Sequence, residues 1–348
     1  MTDRRASGRR ICGALLLALA WALPVSAQDL RLPLQQGQPD LALFVLSRSE
    51  ARISDLGQLL LARQGFRHQP GGAALQPLTF GRSLTPTLRH DPNVNDGIPS
   101  DRLTLGGIPF TVTKESRAKQ GVLLGLQFSQ WQGWSYAPGA RLRLTQTVTA
   151  ELEPTHGYHH ASAHMRLCAE QPVADWTWLD ACLAGGVSHD GQDTQAALTA
   201  SLGARHLFQI GAGFHQAGLT FSTTATDGYD KTIVQLSHTL LTRNSGIWSI
   251  SYLWGERIVG ENTLRHRLSL DWSGEFAGRL IGLSLAETRT DGASLFGIAR
   301  QDRKLRVGLT VPVGRVDLGL WAQRDRSTID AYRGTDAGLS VSFRMNLL

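Results

Sequence analysis

The chain ends in DAGLSVSFRMNLL, residues 336–348, and this stretch decides the fold. Its apolar residues alternate with Gly, Ser, Arg and Asn almost to the last position. Successive side chains of a β-strand point to opposite faces of the sheet, so one face of this segment is apolar and the other polar. The sequence therefore predicts an amphipathic strand at the C-terminus.

The same alternation recurs from residue 80 onward. Most segments are about 10 to 13 residues long, which suits a tilted strand that crosses a bilayer, whereas globular strands average about 5 to 6. Gly-, Pro-, Asn- and Asp-rich turns separate them. Fourteen strands are predicted: 84–91, 119–130, 139–151, 158–168, 175–187, 193–210, 217–226, 231–241, 246–255, 262–272, 277–287, 302–311, 315–324 and 336–347.

This pattern predicts an all-β fold, a transmembrane antiparallel up-and-down β-barrel of about 14 strands with a short N-terminal helical segment. A soluble β-sandwich would show the same alternation, but strand length and turn composition favour the barrel. Aromatic residues near segment ends favour it too, since barrels carry aromatic girdles at both membrane interfaces. These residues are Trp131, Trp134, Tyr136, Trp176, Trp178, Trp248, Trp254 and Trp272.

Residues 1–27 have the pattern of a cleaved secretory signal peptide. Four arginines precede an apolar run that ends at Pro24, and Val25-Ser26-Ala27 is a small-residue cleavage site. A membrane anchor is the weaker alternative, because Pro24 shortens the run. Cleavage lowers the formal charge from +6 to +3. The basic balance therefore gives no reason to expect nucleic-acid binding.

Residues 28–79 differ from the predicted barrel, which we place at 80–348. Apolar residues recur there at helical spacing, and Pro39-Asp40 and Ser54-Asp55 are plausible helix starts. We expect one short helical hairpin that docks under the barrel or plugs it. A loosely ordered leader is the alternative.

The lengths of the connections predict an orientation. If both termini are periplasmic, the long connections 92–118, 288–301 and 325–335 lie outside the cell. The short turns at 169–174, 242–245, 273–276 and 312–314 then lie in the periplasm, as is usual for outer-membrane barrels of Gram-negative bacteria. We therefore expect outer-membrane lipid to surround the barrel.

Cys168 and Cys182 are the cysteines that remain after cleavage, and the compartment is oxidising. Strand alternation puts both in the lumen, and a turn near Asp175 places them opposite each other. Opposed residues of an antiparallel pair approach closely enough to be bridged. A disulfide is predicted, and two free thiols are the alternative.

Arginines dominate the charged positions on the predicted aqueous face. A cationic lumen would attract anions or acidic polypeptide. Alternatively, these side chains only form ion pairs across the wall. The predicted lumen-lining residues are Arg141, Arg143, Arg166, Arg265, Arg267, Arg306 and Arg344.

No catalytic residue, cofactor site or metal site is predicted. A serine-nucleophile motif and a P-loop are both absent from the sequence. The one histidine cluster is His156, His159, His160 and His164, in which His159 and His160 must face opposite sides of a strand.

The C-terminal strand resembles the assembly signal of bacterial outer-membrane barrels. The pattern polar-x-Gly-x-x-apolar-x-apolar is matched by Asp336, Gly338, Val341 and Phe343. Such chains usually end on an aromatic residue, and this one ends on Leu348. The resemblance implies the barrel-assembly machinery as a partner.

Residues 91–121 resemble the start of the barrel in the surface lipoprotein assembly modifier (Slam) family. An Asn-x-Asn element is matched by Asn93 and Asn95, and a Gly-Gly-aliphatic-Pro-Phe element by Gly106, Gly107, Pro109 and Phe110. The resemblance implies a fourteen-stranded barrel that moves lipoproteins or related effectors across the outer membrane. It also implies an N-terminal tetratricopeptide array, for which 28–79 is too short.

Three functions follow as hypotheses. The resemblance implies a translocon for a surface lipoprotein or secreted protein client, with an openable seam between the first and last strands. Pro86 and Pro92 would weaken pairing there, because proline cannot donate to the ladder. The alternatives are a passive porin for small anionic solutes, and a structural or adhesive barrel with a blocked lumen.

Overall fold

The computed structural model describes residues 30–48, 55–95, 97–105, 108–190, 193–242, 245–276, 279–295, 297–343 and 345–347. The predicted signal peptide, Gly106, Gly107 and Arg344 lie outside the described residues.

Within the described ranges, the chain is a closed antiparallel β-barrel of fourteen strands, with β16 and β17 together forming the last one. This confirms the predicted fold class. Barrel strands of up to 17 residues run in sequence order around the sheet. Their bounds are β1 (Gln76–Asp91), β4 (Gly121–Ala137), β5 (Ala140–Glu153), β6 (Tyr158–Ala174), β7 (Thr177–His189), β8 (Thr194–Ile210), β9 (Gly213–Thr226), β10 (Asp230–Thr242), β11 (Gly246–Gly255), β12 (Thr263–Phe276), β13 (Arg279–Leu295), β14 (Ile298–Val313), β15 (Val316–Ser327), β16 (Gly334–Phe343) and β17 (Met345–Leu347).

The remaining elements lie at the two ends of the barrel. The long connection after β1 contains the hairpin β2 (Arg102–Leu105) and β3 (Ile108–Thr111), and a 3₁₀ turn, Asp330–Tyr332, precedes β16. Within the described residues, three helices precede the barrel: α1 (Arg31–Gln35), α2 (Pro39–Arg48) and α3 (Asp55–Arg63). The helix start predicted at Pro39-Asp40 coincides with the observed start of α2. The start predicted at Ser54-Asp55 falls where the described residues resume, and Ser54 lies outside them. None of these helices combines the length and apolar character needed to span a bilayer.

The cylinder closes where β1 meets the last strand. Residues 87–89 of β1 pair with 340–342 of β16, and 82–84 pair with 345–347 of β17. The other edge of β1 pairs with β4 along nearly its whole length. The seam is therefore paired on both sides of Pro86, which has no N–H to donate.

Side-chain alternation separates an inner from an outer face. Arg141 and Arg205 pair with Asp40 of the helical segment in the barrel mouth, which defines the inner face, and the strand pairing carries this assignment around the sheet. Large apolar side chains stand exposed on the outer face, such as Leu202 (66% exposed) and Leu320 (53%). Such an apolar band is the surface that a membrane-spanning barrel presents to lipid.

Several strand ends differ from the prediction. The first strand begins at Gln76 rather than 84, and segments 169–174 and 273–276 are strand rather than turn. Most of 288–301, predicted to be a long loop, belongs to the hairpin of β13 and β14. Both faces of this hairpin become polar above the apolar band, so hydrophobic alternation ends there while the backbone ladder continues.

Two tryptophans predicted for an interfacial girdle point inward. Trp131 pairs with Gly81 on the inner face, and Trp178 lies buried against the helical segment. A third inward tryptophan, Trp321, lies over Gly338, where an added Cβ would stand 2.5 Å from the ring. The glycine of the C-terminal pattern thus makes room for an indole.

Replacing Gly338 with Ala should destabilise the barrel by about 1 to 3 kcal/mol, because the new methyl group overpacks against Trp321. Urea unfolding, followed by the heat-dependent shift of the barrel on a gel, measures the loss. Gly282→Ala is the control, since its nearest neighbour stands at 3.7 Å. Equal stability of the two variants would contradict this account of Gly338.

Candidate functional site

The mouth at the short-turn end of the barrel holds α1 and α2, residues 30–48, which we call the plug. Leu41 and Phe44 of α2 are completely buried. The plug packs on inward apolar side chains of successive strands. These are Trp178 of β7, Leu207 of β8, Phe214 of β9, Leu241 of β10 and Ile247 of β11, with Leu280 of β13 at the edge. The helical segment therefore lies inside the barrel mouth.

Phe44 is the apolar anchor of the plug. Its ring meets Trp176 edge-on at 4.9 Å between centroids and Phe214 at 6.0 Å. Trp176 sits in the turn between β6 and β7 with a φ of 56°, a left-handed conformation rare for a bulky residue. Glycine would suit this turn better, so the tryptophan fits a role in holding the plug rather than in making the turn.

Asp40 of α2 is the polar anchor. Its carboxylate accepts two hydrogen bonds from Arg141, at 3.0 and 2.9 Å, and pairs with Arg205 at 2.9 Å. Glu170 bridges the same two arginines and also pairs with Arg143. Asp40, Arg141 and Glu170 are each at most 5% exposed. Charges buried this deeply require partners, and here each has at least two.

The arginines also set the ionisation of Asp40. Burial alone would raise the pKa of this carboxyl group, but Arg141 and Arg205 outweigh burial and hold the pKa below its usual value. Asp40 is therefore ionised at neutral pH. An ionised Asp40 is the state that binds Arg141 of β5 and Arg205 of β8.

The chain after α3 is attached to the turn between β4 and β5. Gly65 accepts a hydrogen bond from the N–H of Gly139 at 3.0 Å. His68 and Ser135 are hydrogen-bonded at 3.1 Å, and Ser135 is fully buried. This attachment and the plug together place the helical segment against strands from β4 to β11.

Cys168 and Cys182 lie directly opposite each other on β6 and β7, with Cα atoms 4.1 Å apart, and are joined by a disulfide. Arg166 donates to both sulfur atoms, at 3.1 and 3.2 Å. The pair lies on the inner face, one inward position from Glu170. It therefore links two of the strands that hold the plug.

The other predicted lumen arginines have separate environments. Arg267 lies beside Ser269, and Arg306 stacks over the ring of Trp321 at 4.7 Å, both on the inner face. Arg265 is the extra residue of a bulge in β12, where it contacts Asp291 and the carbonyl of Gly255 near the loop end. Of the predicted lumen arginines that the structure describes, only Arg141 and Arg143 converge on one site, together with Arg205.

Farther into the lumen, beyond Arg166, lies a polar cavity of about 690 Å³. Inward side chains of β5 to β9 supply its polar lining, including Thr145, Thr147, His164 and Thr199. This cavity could hold water and small polar solutes.

The residues that carry the family resemblance lie in the long connection at the other end. Asn93 exchanges two hydrogen bonds with the backbone of Gly97, at 3.0 and 2.8 Å. Asn95 bridges the backbone of Arg117 and Lys119, each at 2.8 Å. The Asn-x-Asn element thus folds the connection back on itself.

The apolar half of the same pattern is presented to solvent. Phe110 of β3 is 46% exposed, and Pro109 precedes it on the same strand. No clustering of His, Cys, Asp or Glu suited to a metal ion occurs in the described part of the chain.

Sequence reasoning missed the role of Asp40. It is one acidic residue in the first turn of a helix, and its partner Arg141 lies 101 residues away. The only local signal in the sequence is that this acidic residue opens an otherwise apolar stretch, DLALFVL, residues 40–46.

Comparisons with known proteins assign no family. No family model matches the chain, and neither does any curated protein. Among solved structures, OccAB3 of Acinetobacter baumannii has a TM-score of 0.42 at 8% identity, covering 77% of this chain and 99% of its own. OccK2 (OpdF) of Pseudomonas aeruginosa, solved with glucuronate, has 0.41 at 10%, covering 77% and 98%. CdiB of Acinetobacter baumannii has 0.42 at 10%, covering 76% of this chain and 60% of CdiB.

Replacing Asp40 with Asn should loosen the plug, because Arg141 and Arg205 lose a charged partner. Breaking a buried ion pair costs about 3 to 5 kcal/mol. We expect faster tryptic cleavage after Arg48 in the folded protein. Asp55→Asn, which changes an exposed carboxylate in α3, is the matched control and should leave the rate unchanged. Equal cleavage rates for the wild type and Asp40→Asn would show that Asp40 does not anchor the plug.

Acid should abolish the difference between wild type and Asp40→Asn. The lowered pKa means that Asp40 contributes stability above its unfolded pKa of about 3.9, and that this contribution is lost as pH falls through the folded value. Trypsin is inactive in acid, so this comparison uses pepsin, and the cleavage rates of the two proteins should converge as pH falls below about 4. A difference that does not shrink as pH falls below about 4 would contradict this account of Asp40.

Thiol titration tests the cysteine pair. Protein extracted from membranes and unfolded without reductant should show no free thiol, and two after reduction, because Cys168 and Cys182 are bridged. Two thiols before reduction would establish the free pair instead.

Proposed function

We propose that this protein is a translocon-like conduit of a Gram-negative outer membrane, closed at its periplasmic end by its own N-terminal plug. The observation that carries the proposal is the burial of Asp40 and Phe44 inside the mouth. The proposed cargo is a surface lipoprotein or related effector, as the Slam resemblance implies.

The membrane position rests on the outer face of the barrel. Trp134, Trp248 and Trp272 point outward near the short-turn end, and Trp254 points outward near the loop end. Aromatic residues at both borders of an apolar band suit the two membrane interfaces. We place the short turns and the plug in the periplasm, because outer-membrane barrels have short periplasmic turns and longer outer loops.

The plug supports a gated conduit over an open pore. It spans the inner wall from β5 to β11, and its docking buries both an apolar surface and a set of paired charges. A polypeptide could pass this mouth only after the plug is displaced. In the resembling family the N-terminal region precedes the barrel as an array, whereas here it occupies the mouth, where an arriving client would meet it first.

The seam supports a conduit that opens sideways. Among the described residues, 82–84 and 87–89 of β1 pair with the last strand, whereas β1 and β4 pair almost throughout. Over these described residues, opening the seam would break fewer hydrogen bonds than opening the junction of β1 with β4. A lipid-anchored client would need such a lateral path.

A passive porin for small anionic solutes is the second candidate. The polar cavity and the inward arginines favour it, since Arg166, Arg267 and Arg306 would attract anions. Under the porin hypothesis, the plug would have to leave the barrel mouth in the absence of a protein client.

Single-channel recording separates the hypotheses. The wild-type protein in a planar bilayer should show little steady conductance, whereas Asp40→Asn combined with Phe44→Ala should conduct, because both anchors of the plug are lost. Asp55→Asn is the control. Steady conductance of the wild type would establish the porin hypothesis. Absence of conductance in the double variant would establish the hypothesis of a barrel with a blocked lumen. A heat-shift gel verifies that each variant is folded.

Display of candidate surface lipoproteins on whole cells tests the cargo. Their exposure should require this protein, and it should be lost when cysteines introduced at Ser83 and Asn346, which oppose each other across the seam, are oxidised. The same cysteines in reduced form are the control. Display without the protein would refute the translocon.

A further inference from the structure

Outward-facing arginines form a row across β13, β14 and β15 near the loop end. Arg289 pairs with Arg303, and Arg303 pairs with Arg326. Arg324 lies two residues from Arg326 on the same face of β15. We call Arg289, Arg303, Arg324 and Arg326 the arginine row.

The arginine row borders the apolar band. Leu305 lies next to Arg303 on the outer face of β14, and Leu285 and Val307 follow toward the middle of the membrane. The inward neighbours on β14 are Lys304 and Arg306, so the row does not belong to the lumen. Its guanidinium groups therefore stand where lipid headgroups meet the acyl chains.

The charge of the row is only partly balanced. Glu287 pairs with Arg289 at 2.8 Å and with Arg303 at 2.6 Å. Within the described ranges, no carboxylate pairs with Arg324 or Arg326, and both are exposed. Like charges opposed on neighbouring strands destabilise a sheet. Four arginines and one glutamate leave three uncompensated positive charges in the row. Their mutual repulsion destabilises the sheet, and a bound anion would reduce that repulsion.

We propose that the arginine row binds the phosphate groups of the phosphorylated glycolipid in the outer leaflet. The fork of a guanidinium group matches phosphate oxygens in bidentate hydrogen bonds. Neighbouring strands lie about 4.8 Å apart, so adjacent guanidiniums reach one headgroup together. The apolar band below receives the acyl chains, a combination that favours a lipid over an acidic protein. The proposal rests on the orientation given under the proposed function.

The arginine row can be tested in detergent micelles with purified lipopolysaccharide as the probe. The variant is Arg289→Gln, Arg303→Gln and Arg326→Gln together. The control is Arg63→Gln, Arg279→Gln and Arg315→Gln, which removes the same charge from exposed positions at the short-turn end. We expect the variant to bind the probe at least about tenfold more weakly, since charge-assisted hydrogen bonds contribute about 1.5 to 3 kcal/mol each, while the control binds like the wild type.

Dephosphorylated lipopolysaccharide should bind the wild type as weakly as the intact lipid binds the variant. Equal binding of intact lipid by wild type and variant, or binding indifferent to phosphate, would overturn the proposal. So would tighter binding of polyglutamate than of lipopolysaccharide, which would indicate an acidic protein. Micellar binding needs no plug movement. If the wild type fails to bind lipopolysaccharide while its plug-gated conductance is intact, only the lipid site is refuted. Lipid binding by a barrel that conducts with the plug in place refutes only the gated conduit.

Discussion

The hydrogen-bond ladder has to close, and the other features of the molecule depend on this constraint. Hydrocarbon offers no hydrogen-bond partner for a backbone N–H or C=O group, so the first and last strands of the sheet must pair with each other. Closure fixes which side chains point inward, because every opposed pair shares a face. It thereby brings Arg141 of β5, Glu170 of β6 and Arg205 of β8 to one point of the inner wall.

The plug combines two kinds of interaction with different roles. Burial of Leu41 and Phe44 supplies attraction but tolerates sliding, because apolar contact has little direction. The pairing of Asp40 with two arginines has direction, and a shift of the helix would leave buried charges without partners. Buried ionic groups of this kind add little net stability, and their best-attested role is to fix a register. We interpret Asp40 as the residue that sets the depth of the plug.

Much of the fold could be predicted from sequence, because alternation with period two directly reports a two-faced sheet. The prediction failed where both faces are polar, as in the hairpin that carries Arg289 and Arg303. It also failed for Trp131 and Trp178, since an aromatic residue near a strand end does not reveal which way it points without the register. The pairing of Cys168 with Cys182 could be predicted because a single turn brings the two residues together. The contact of Asp40 with Arg141 could not, because it depends on where the helix docks in the closed barrel.

The tether between the plug and the barrel sets a condition for anything that opens the mouth. The chain from Arg48 to Gln76, which includes α3, joins the plug to β1, so a displaced plug stays close to its seat. Short tethers of this kind give effective concentrations on the order of millimolar. A soluble competitor for the same wall would have to overcome that local excess. An incoming polypeptide is therefore more effective if it pulls on the helices themselves than if it competes for the surface beneath them.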